Sequence, residues 1–196
     1  MTEFHKMYER QLRRWVEANS DRVNDKDAGG CTPLVAAVLK FKSAPLSMWL
    51  LDEKCADVNA TTAYGNTALH YADSLDILTA SLDRGADPTM ADHEGRILFM
   101  GHAASGLVDT VAHLLQDQRV HATVDVQGRD GETALHHACT GFVAEAAAIK
   151  VHFLLQASAD SLVTDKYGLT PLTWTREVRP FTAHHFRPLG RGLGRQ

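Results

Sequence analysis

The sequence predicts an all-α fold made of repeated helix pairs, and three observations predict it. Five glycines, Gly30, Gly65, Gly95, Gly131 and Gly168, each stand just before a helix-opening motif or a degraded copy of one, at spacings of 35, 30, 36 and 37 residues. The copies read Cys31-Thr32-Pro33-Leu34, Asn66-Thr67-Ala68-Leu69-His70, Arg96-Ile97-Leu98-Phe99, Glu132-Thr133-Ala134-Leu135-His136 and Leu169-Thr170-Pro171-Leu172. A recurrence near roughly 33 residues marks a solenoid, in which each unit contacts only its neighbours. The composition agrees: 44% hydrophobic but only 7% aromatic residues suit small-residue helix packing better than a large aromatic core.

A first helix is predicted over residues 2–19. Phe4, Met7, Tyr8, Leu12, Trp15 and Val16 recur at spacings of three and four on one face, and Lys6, Glu9, Arg10, Arg13 and Glu17 make the other face polar. Arg22-Val23-Asn24 then parallels Asp57-Val58-Asn59 ahead of the next unit, so this helix reads as half a unit serving as an N-terminal cap.

The motif chemistry explains its order. A threonine hydroxyl at the helix start accepts from an orphan N–H of the first turn. Proline at the next position lacks an N–H and has φ preset for the helix. The residue after it, Leu34, Leu69, Phe99, Leu135 or Leu172, is expected to point into the stack. The second helix has its clearest ending at Arg84-Gly85-Ala86-Asp87-Pro88, where a left-handed glycine stops it. Cys55 and Ser158 stand in that glycine's place elsewhere, at a cost of about 1 kcal/mol each if the turn is kept.

The units also depart from the pattern. The one opening at Gly65 runs from Ala72 directly into Asp73-Ser74-Leu75. The one opening at Gly95 has Ile97-Leu98 where Thr-Pro belongs, which predicts an uncapped first helix and a weak joint, followed by a turn at Ser105-Gly106. The one opening at Gly131 carries about four extra residues around 141–149. The last unit lacks a recognisable second helix. Residues 176–196 hold five Arg and one Glu with Pro180, Pro188 and three spaced glycines, and have too little to bury to predict a fixed structure. Phe181, Phe186 and His184-His185 are the residues that would otherwise cover the open end.

Threonine, proline, leucine and histidine in that order, with that period, are the opening of an ankyrin repeat. The chain resembles the ankyrin family from about residue 23 to about residue 174. The resemblance implies an ankyrin-repeat solenoid of helix–turn–helix units with projecting β-hairpin loops. It divides the chain into a capping half repeat at 1–24, an array of about four repeats plus partial caps at 25–175, and the basic tail at 176–196. It implies that His70 and His136 tie neighbouring repeats together by hydrogen bonds. It implies, too, that a partner protein is bound by the hairpin tips and by the exposed face of each first helix.

Those tips are Asp27, Ala28 and Cys31; Ala63, Tyr64 and Asn66; His93, Glu94 and Arg96; Arg129, Asp130 and Glu132; and Lys166, Tyr167 and Leu169. Tyr64 and Tyr167 are expected to contribute most, since tyrosine gives large contact area at low entropic cost. Ser74, Leu75, Ala104 and Ser105 would floor the groove beside them. Ankyrin proteins are also frequent targets of asparaginyl hydroxylases, which favour Asn with an acid two residues back and a leucine eight back. Asn59 has Asp57 and Leu51 there and is the candidate for modification, although the family's hairpin bend accounts for it more simply.

Other chemistry finds little support. The net charge is −4, and −8 without the tail, which gives no general reason to expect nucleic acid or membrane binding. Cys31, Cys55 and Cys139 show no C-x-x-C spacing and read as reduced thiols of an intracellular protein, Cys31 being expected to be accessible. The charged first ten residues and the short apolar runs predict a soluble protein, of the cytoplasm ahead of the nucleus.

Of eleven histidines, His136 and His137 diverge by about 100° on a helix, and His113, His121 and His152 follow no ligand spacing. Asp52-Glu53, and Asp92 with Glu94, read as solvated surface. No H-E-x-x-H, G-x-S-x-G, Walker A or kinase signature occurs. The expectation is a monomeric, non-catalytic protein-interaction module with no metal, cofactor or small-molecule substrate. The alternative is the targeting part of a multidomain regulator such as a ubiquitin ligase or a kinase.

Overall fold

The structure, a computed structural model, describes residues 3–105, 107–140 and 144–177. They belong to two compact units, Met1–Asp87 and Pro88–Gln196. Among the described residues there are helices and turns but no strand, and one isolated antiparallel bridge joins Ala91 and Ile97.

In the first unit, α1 (Glu3–Ala18) packs on α2 (Pro33–Leu39). Along its apolar stripe Val16 is buried and Leu12 half-buried while Met7, Tyr8 and Trp15 stay exposed. The guanidinium of Arg13 sits 4.6 Å above the Trp49 ring and gives that indole a favourable surface partner. α2 opens as its motif demands: Thr32 Oγ1 accepts from the Val35 N–H at 3.3 Å, and Pro33 takes the first helical position. Ser43 caps α3 (Ala44–Asp52) in the same way. The short second repeat has room only for a 3-10 turn at Ala68–Tyr71 before Ser74 caps α4 (Leu75–Asp83).

Side chains link successive repeats in this unit. Asn24 Oδ1 accepts from the Asp57 N–H at 2.8 Å. Asn59 Oδ1 accepts from the Asp87 N–H at 2.8 Å, and its Nδ2 donates to the Gly85 carbonyl at 3.2 Å. Arg84 forks onto Asp52 at 2.6 and 2.8 Å.

The second unit contains α5 (Leu98–Ser105), α6 (Val108–Leu114), the short α7 (Gln118–His121), α8 (Ala134–Cys139), α9 (Ala144–Gln156) and α10 (Pro171–Glu177). α8 lies at its centre, against α5, α9 and α10. α9 has 13 residues where α3 and α4 have 9, so part of the extra sequence foreseen around 141–149 becomes helix; residues 141–143 lie outside the described set. Gly106, of the turn foreseen at Ser105-Gly106, lies outside it too. So does the tail from residue 178 onward, while α10 runs through Arg176 and Glu177.

The packing bears on two expectations. Ile97 and Leu98 are both buried, as are Phe99 and Met100. Apolar burial there offsets part of what the missing polar cap costs, while supplying no acceptor for the first-turn N–H groups. Leu34, Leu69, Phe99 and Leu135 are buried as foreseen, but Leu172 is 71% exposed. α10 turns Trp174 toward α8, with the indole edge-on to His136 and His137 at 5.1 and 5.7 Å, which leaves Leu172 facing out.

The second-helix endings keep their left-handed residue whether or not it is glycine. Gly85 has φ 83°, Cys55 φ 54° and Ser158 φ 66°. Each directs the next N–H back onto the helix, as Ala86 does to the Ser81 carbonyl and Ala159 to that of Leu154, both at 3.0 Å.

The histidines act through the helix starts. The Thr133 N–H donates to His136 Nδ1 at 3.1 Å, which fixes the Nε2–H tautomer, and Nε2–H donates to the Leu169 carbonyl of the following repeat at 3.0 Å. His70 receives the Thr67 N–H identically at 3.1 Å. Burial lowers the proton affinity of His136 and pushes His137 down to about 3. Glu132 Oε1 stands 4.0 Å from His137 Nε2, beyond hydrogen-bond range.

Three outcomes are expected. Ser158→Gly and Cys55→Gly should each stabilise the chain by about 0.5–1 kcal/mol in urea denaturation, and no gain in either would show that the left-handed turn carries no strain. Leu69→Ala or Leu135→Ala should cost about 2–5 kcal/mol in the same experiment, through lost burial and a cavity. The buried histidines have folded pKa values below 6.5, so the unfolded chain takes up protons first on acidification. Their stabilising contribution is complete above about pH 6.5 and is lost as pH falls toward 3. His137 alone should cost about 2 kcal/mol at pH 5. His137→Leu should flatten the fall in Tm between about pH 7 and pH 5, and an equally steep fall in that variant would place the titration elsewhere.

Candidate functional site

Each hairpin tip is a five-residue loop, and all five share one backbone frame. The N–H of the first residue donates to the carbonyl of the fifth, at 2.9 Å for Asp27–Cys31, Asp92–Arg96, Gly128–Glu132 and Asp165–Leu169 and 2.7 Å for Thr62–Asn66. The fourth residue is the glycine of the sequence repeat, and it carries a positive φ in every loop, from 73° to 82°. That frame leaves the N–H groups of the third and fifth residues without backbone partners.

A side chain at the first position accepts both. Asp27 Oδ1 takes the Gly29 and Cys31 N–H groups at 2.9 Å each. Asp92 Oδ1 takes those of Glu94 and Arg96 at 2.9 Å each. Asp165 Oδ1 takes those of Tyr167 and Leu169 at 2.8 and 2.9 Å. Thr62 Oγ1 serves Tyr64 and Asn66 more loosely, at 3.3 Å each. The free carboxylate oxygens are used as well: Asp165 Oδ2 accepts from the Trp174 indole N–H at 2.7 Å, Asp92 Oδ2 from Arg96 at 2.7 Å and Asp27 Oδ2 from Lys40 at 3.1 Å. Partial burial acts to raise the Asp27 carboxyl, but the Cys31 and Gly29 N–H groups and Lys40 outweigh it and hold it below the usual range.

Neighbouring loops touch. In the first unit a Cβ on Gly30 would lie 2.6 Å from that of Ala63, so the approach as well as the positive φ requires glycine. In the second unit the contacts are polar. The Arg129 N–H donates to the Glu94 carbonyl at 2.9 Å, and its guanidinium reaches the His93 carbonyl at 3.0 Å and the Glu94 carboxylate at 3.5 Å. The Lys166 N–H donates to the Asp130 carbonyl and its ammonium to the Asp130 carboxylate, both at 2.8 Å. That carboxylate raises the Lys166 pKa.

The candidate contact residues divide on this frame. Asp27, Ala28, Ala63, Tyr64, Leu75, His93, Glu94, Arg129, Asp130, Lys166 and Tyr167 are exposed, and Ser74, Arg96, Ala104 and Leu169 are half-buried. Tyr64 and Tyr167 are 70% and 73% exposed. Cys31, Asn66 and Glu132 are buried instead; Cys31 and Asn66 follow the left-handed glycine, turn back into the loop and hand their N–H groups to Asp27 and Thr62. Cys31 is therefore no accessible thiol; burial, and then Asp27, push its pKa up. Asp92 is likewise buried rather than solvated surface.

Ser74 and Leu75 belong to the first unit and Ala104 and Ser105 to the second. The Ser105 side chain lies outside the described set, and the Ala104 carbonyl accepts from the buried Lys150 at 3.3 Å. Sequence reasoning missed Thr62, Asp92 and Asp165 as loop-closing residues. The signal was present, as an acceptor side chain three residues before each turn glycine except Gly131. Among the described residues no three His, Cys, Asp or Glu side chains come together as a metal site.

No protein-family model matches the chain. Ankyrin repeat-containing protein kinase A of Dictyostelium discoideum is 40% identical over 60 residues, which is 31% of this chain and 4% of that protein's length. EF0377, an ankyrin repeat protein of known crystal structure, superposes with a TM-score of 0.73 at 24% identity, over 87% of this chain and 86% of its own. A chain from the complex of the Bd0816 predatory endopeptidase of Bdellovibrio bacteriovorus with immunity protein Bd3460 superposes with a TM-score of 0.72, also at 24% identity, over 90% and 92%. With the recurring Thr-to-His helix starts, the left-handed loop glycines and these superpositions, the chain has the ankyrin-repeat fold.

Proposed function

We propose that the chain is a non-catalytic protein-recognition module that binds a partner protein through its hairpin tips and the adjacent first-helix faces. The observation that carries this reading is the presentation of Tyr64 and Tyr167, 70% and 73% exposed at the third position of closed loops. Their backbone N–H groups are held by Thr62 and Asp165, so each ring is displayed on an already ordered frame and binding need not order the loop.

The charged tips of the second unit already face each other, Glu94 with Arg129 and Asp130 with Lys166. Contact area and hydrogen bonding then outweigh long-range charge steering in choosing a partner. The reading includes a monomer acting in the cytoplasm without cofactor or small-molecule substrate. No helix among the described residues is long and apolar enough to cross a membrane. Asn59 is half-buried with both ends of its amide bonded to neighbouring backbone, which favours a structural role over hydroxylation.

A second reading has one observation in its favour. The Dictyostelium relative is named a kinase, and the matched segment is 4% of it. In that reading the repeats direct an effector domain carried elsewhere on a longer chain.

Tyr64→Ala and Tyr167→Ala should each weaken a verified partner by about 1–2 kcal/mol in titration calorimetry, with Tm unchanged within error. Wild-type affinity in both variants would remove the tips as the binding surface.

A further inference from the structure

Four loops are closed by the side chain of their first residue, Asp27, Thr62, Asp92 or Asp165. The loop at 128–132 begins with Gly128, which has none. Its backbone does not explain the glycine, because Gly128 is absent from the positive-φ positions. Its surroundings do: a Cβ there would lie 2.6 Å from Glu132 Oε1 and 2.9 Å from its carboxyl carbon. The Glu132 side chain, from the fifth position, fills the place that an aspartate side chain fills in the other loops. Burial raises the pKa of its carboxyl, and the backbone N–H groups of Asp130 and of Glu132 itself, the third and fifth positions of the loop, act to lower it again. These are the two donors that Oδ1 serves in the aspartate-closed loops. Gln127 braces the same loop, donating to the Gly131 and Thr164 carbonyls at 2.8 and 3.2 Å.

We infer that Glu132 is a positioning residue of the tip surface, closing the middle loop of the second unit from the fifth position in place of the absent first-position aspartate. The loop it closes contributes Arg129 to Glu94 on one side and Asp130 to Lys166 on the other. Holding 128–132 in shape therefore holds both links to the loops at 92–96 and 165–169. Glu132 is 8% exposed, so it acts on a partner only through the tip it shapes. Its role belongs to the free protein and does not depend on the identity of any partner.

The test is amide hydrogen exchange of the full chain, read residue by residue by NMR. Glu132→Ala should speed exchange at 129, 130, 132 and 166 by about tenfold or more, while the Tyr167 and Leu169 amides, held by Asp165, change by less than about threefold. Glu132→Gln, which keeps the acceptor oxygen, should stay within about threefold of the parent chain throughout. Gly128→Asp alone should also speed exchange, because two carboxyl groups compete for one space. Gly128→Asp with Glu132→Ala should return the four amides to within about threefold of the parent, a reversal that only direct exchange of roles produces. Unchanged exchange in Glu132→Ala, or no recovery in the double variant, overturns the inference. If Glu132→Ala does not fold, folding of the double variant supports it and failure of the double variant to fold overturns it.

Discussion

A chain that reverses direction within five residues and buries half of the reversal leaves two N–H groups pointing into the loop with nothing in the backbone to meet them. An unmet N–H costs about 1–3 kcal/mol where it is buried, and five such loops stand among the described residues. The acceptor oxygen that Asp27, Thr62, Asp92 and Asp165 provide is what the rest of the architecture depends on. With Oδ1 or Oγ1 in place, the glycine at the fourth position completes the turn, the fifth residue folds inward, and the residue that follows, a threonine in every loop but the third, stands at the helix start. Loop closure and helix initiation are thus one continuous structure, from Asp27 to Pro33 or from Gly128 to Ala134.

The helices that follow are short, seven residues in α2 and six in α8, well below the length at which isolated helices persist in water. They are held by packing and by their starts. The Thr133–His136 arrangement satisfies the first turn and then reaches the next repeat through the Leu169 carbonyl, so local capping and inter-repeat cohesion come from the same imidazole. Trp174 closes over both histidines while its indole N–H is anchored by the Asp165 carboxylate that also closes the last loop. In this way the fourth loop, α8, the fifth loop and α10 form one cooperative cluster. Its neutral histidines link it to pH.

The same economy shapes the surface. A tip whose backbone groups are bonded within the loop or to the next loop is stiff, and its outward side chains are the part free to differ from loop to loop. Alanine and tyrosine occupy the second tip, histidine and glutamate the third, arginine and aspartate the fourth, lysine and tyrosine the fifth. In the second unit the charged members engage one another across loops, which leaves Tyr167 as the large exposed side chain of that row. A surface built this way offers shape and a few aromatic side chains.

The repeat, its period, the helix starts and the left-handed stops are all legible along the chain, because each rests on chemistry local to a few residues. Thr32-Pro33, Thr133-Ala134-Leu135-His136 and Gly85 specify their conformations within one turn of chain, and the structure places them accordingly. Exposure is not legible in the same way. Cys31, Asn66 and Glu132 sit at a nominal tip yet are buried, since the direction of the fifth loop residue is set by hydrogen bonds to the residue four back, from its carbonyl in every loop and from its N–H as well in Cys31 and Asn66. Leu172 has the motif of a core leucine yet faces out, because burial requires a neighbouring element and α10 offers its tryptophan side to α8 instead. The exchange between Gly128 and Glu132 is the sharpest case. Read along the chain, one is a missing acceptor and the other a surface acid; only folding places the carboxylate in the space the glycine leaves empty.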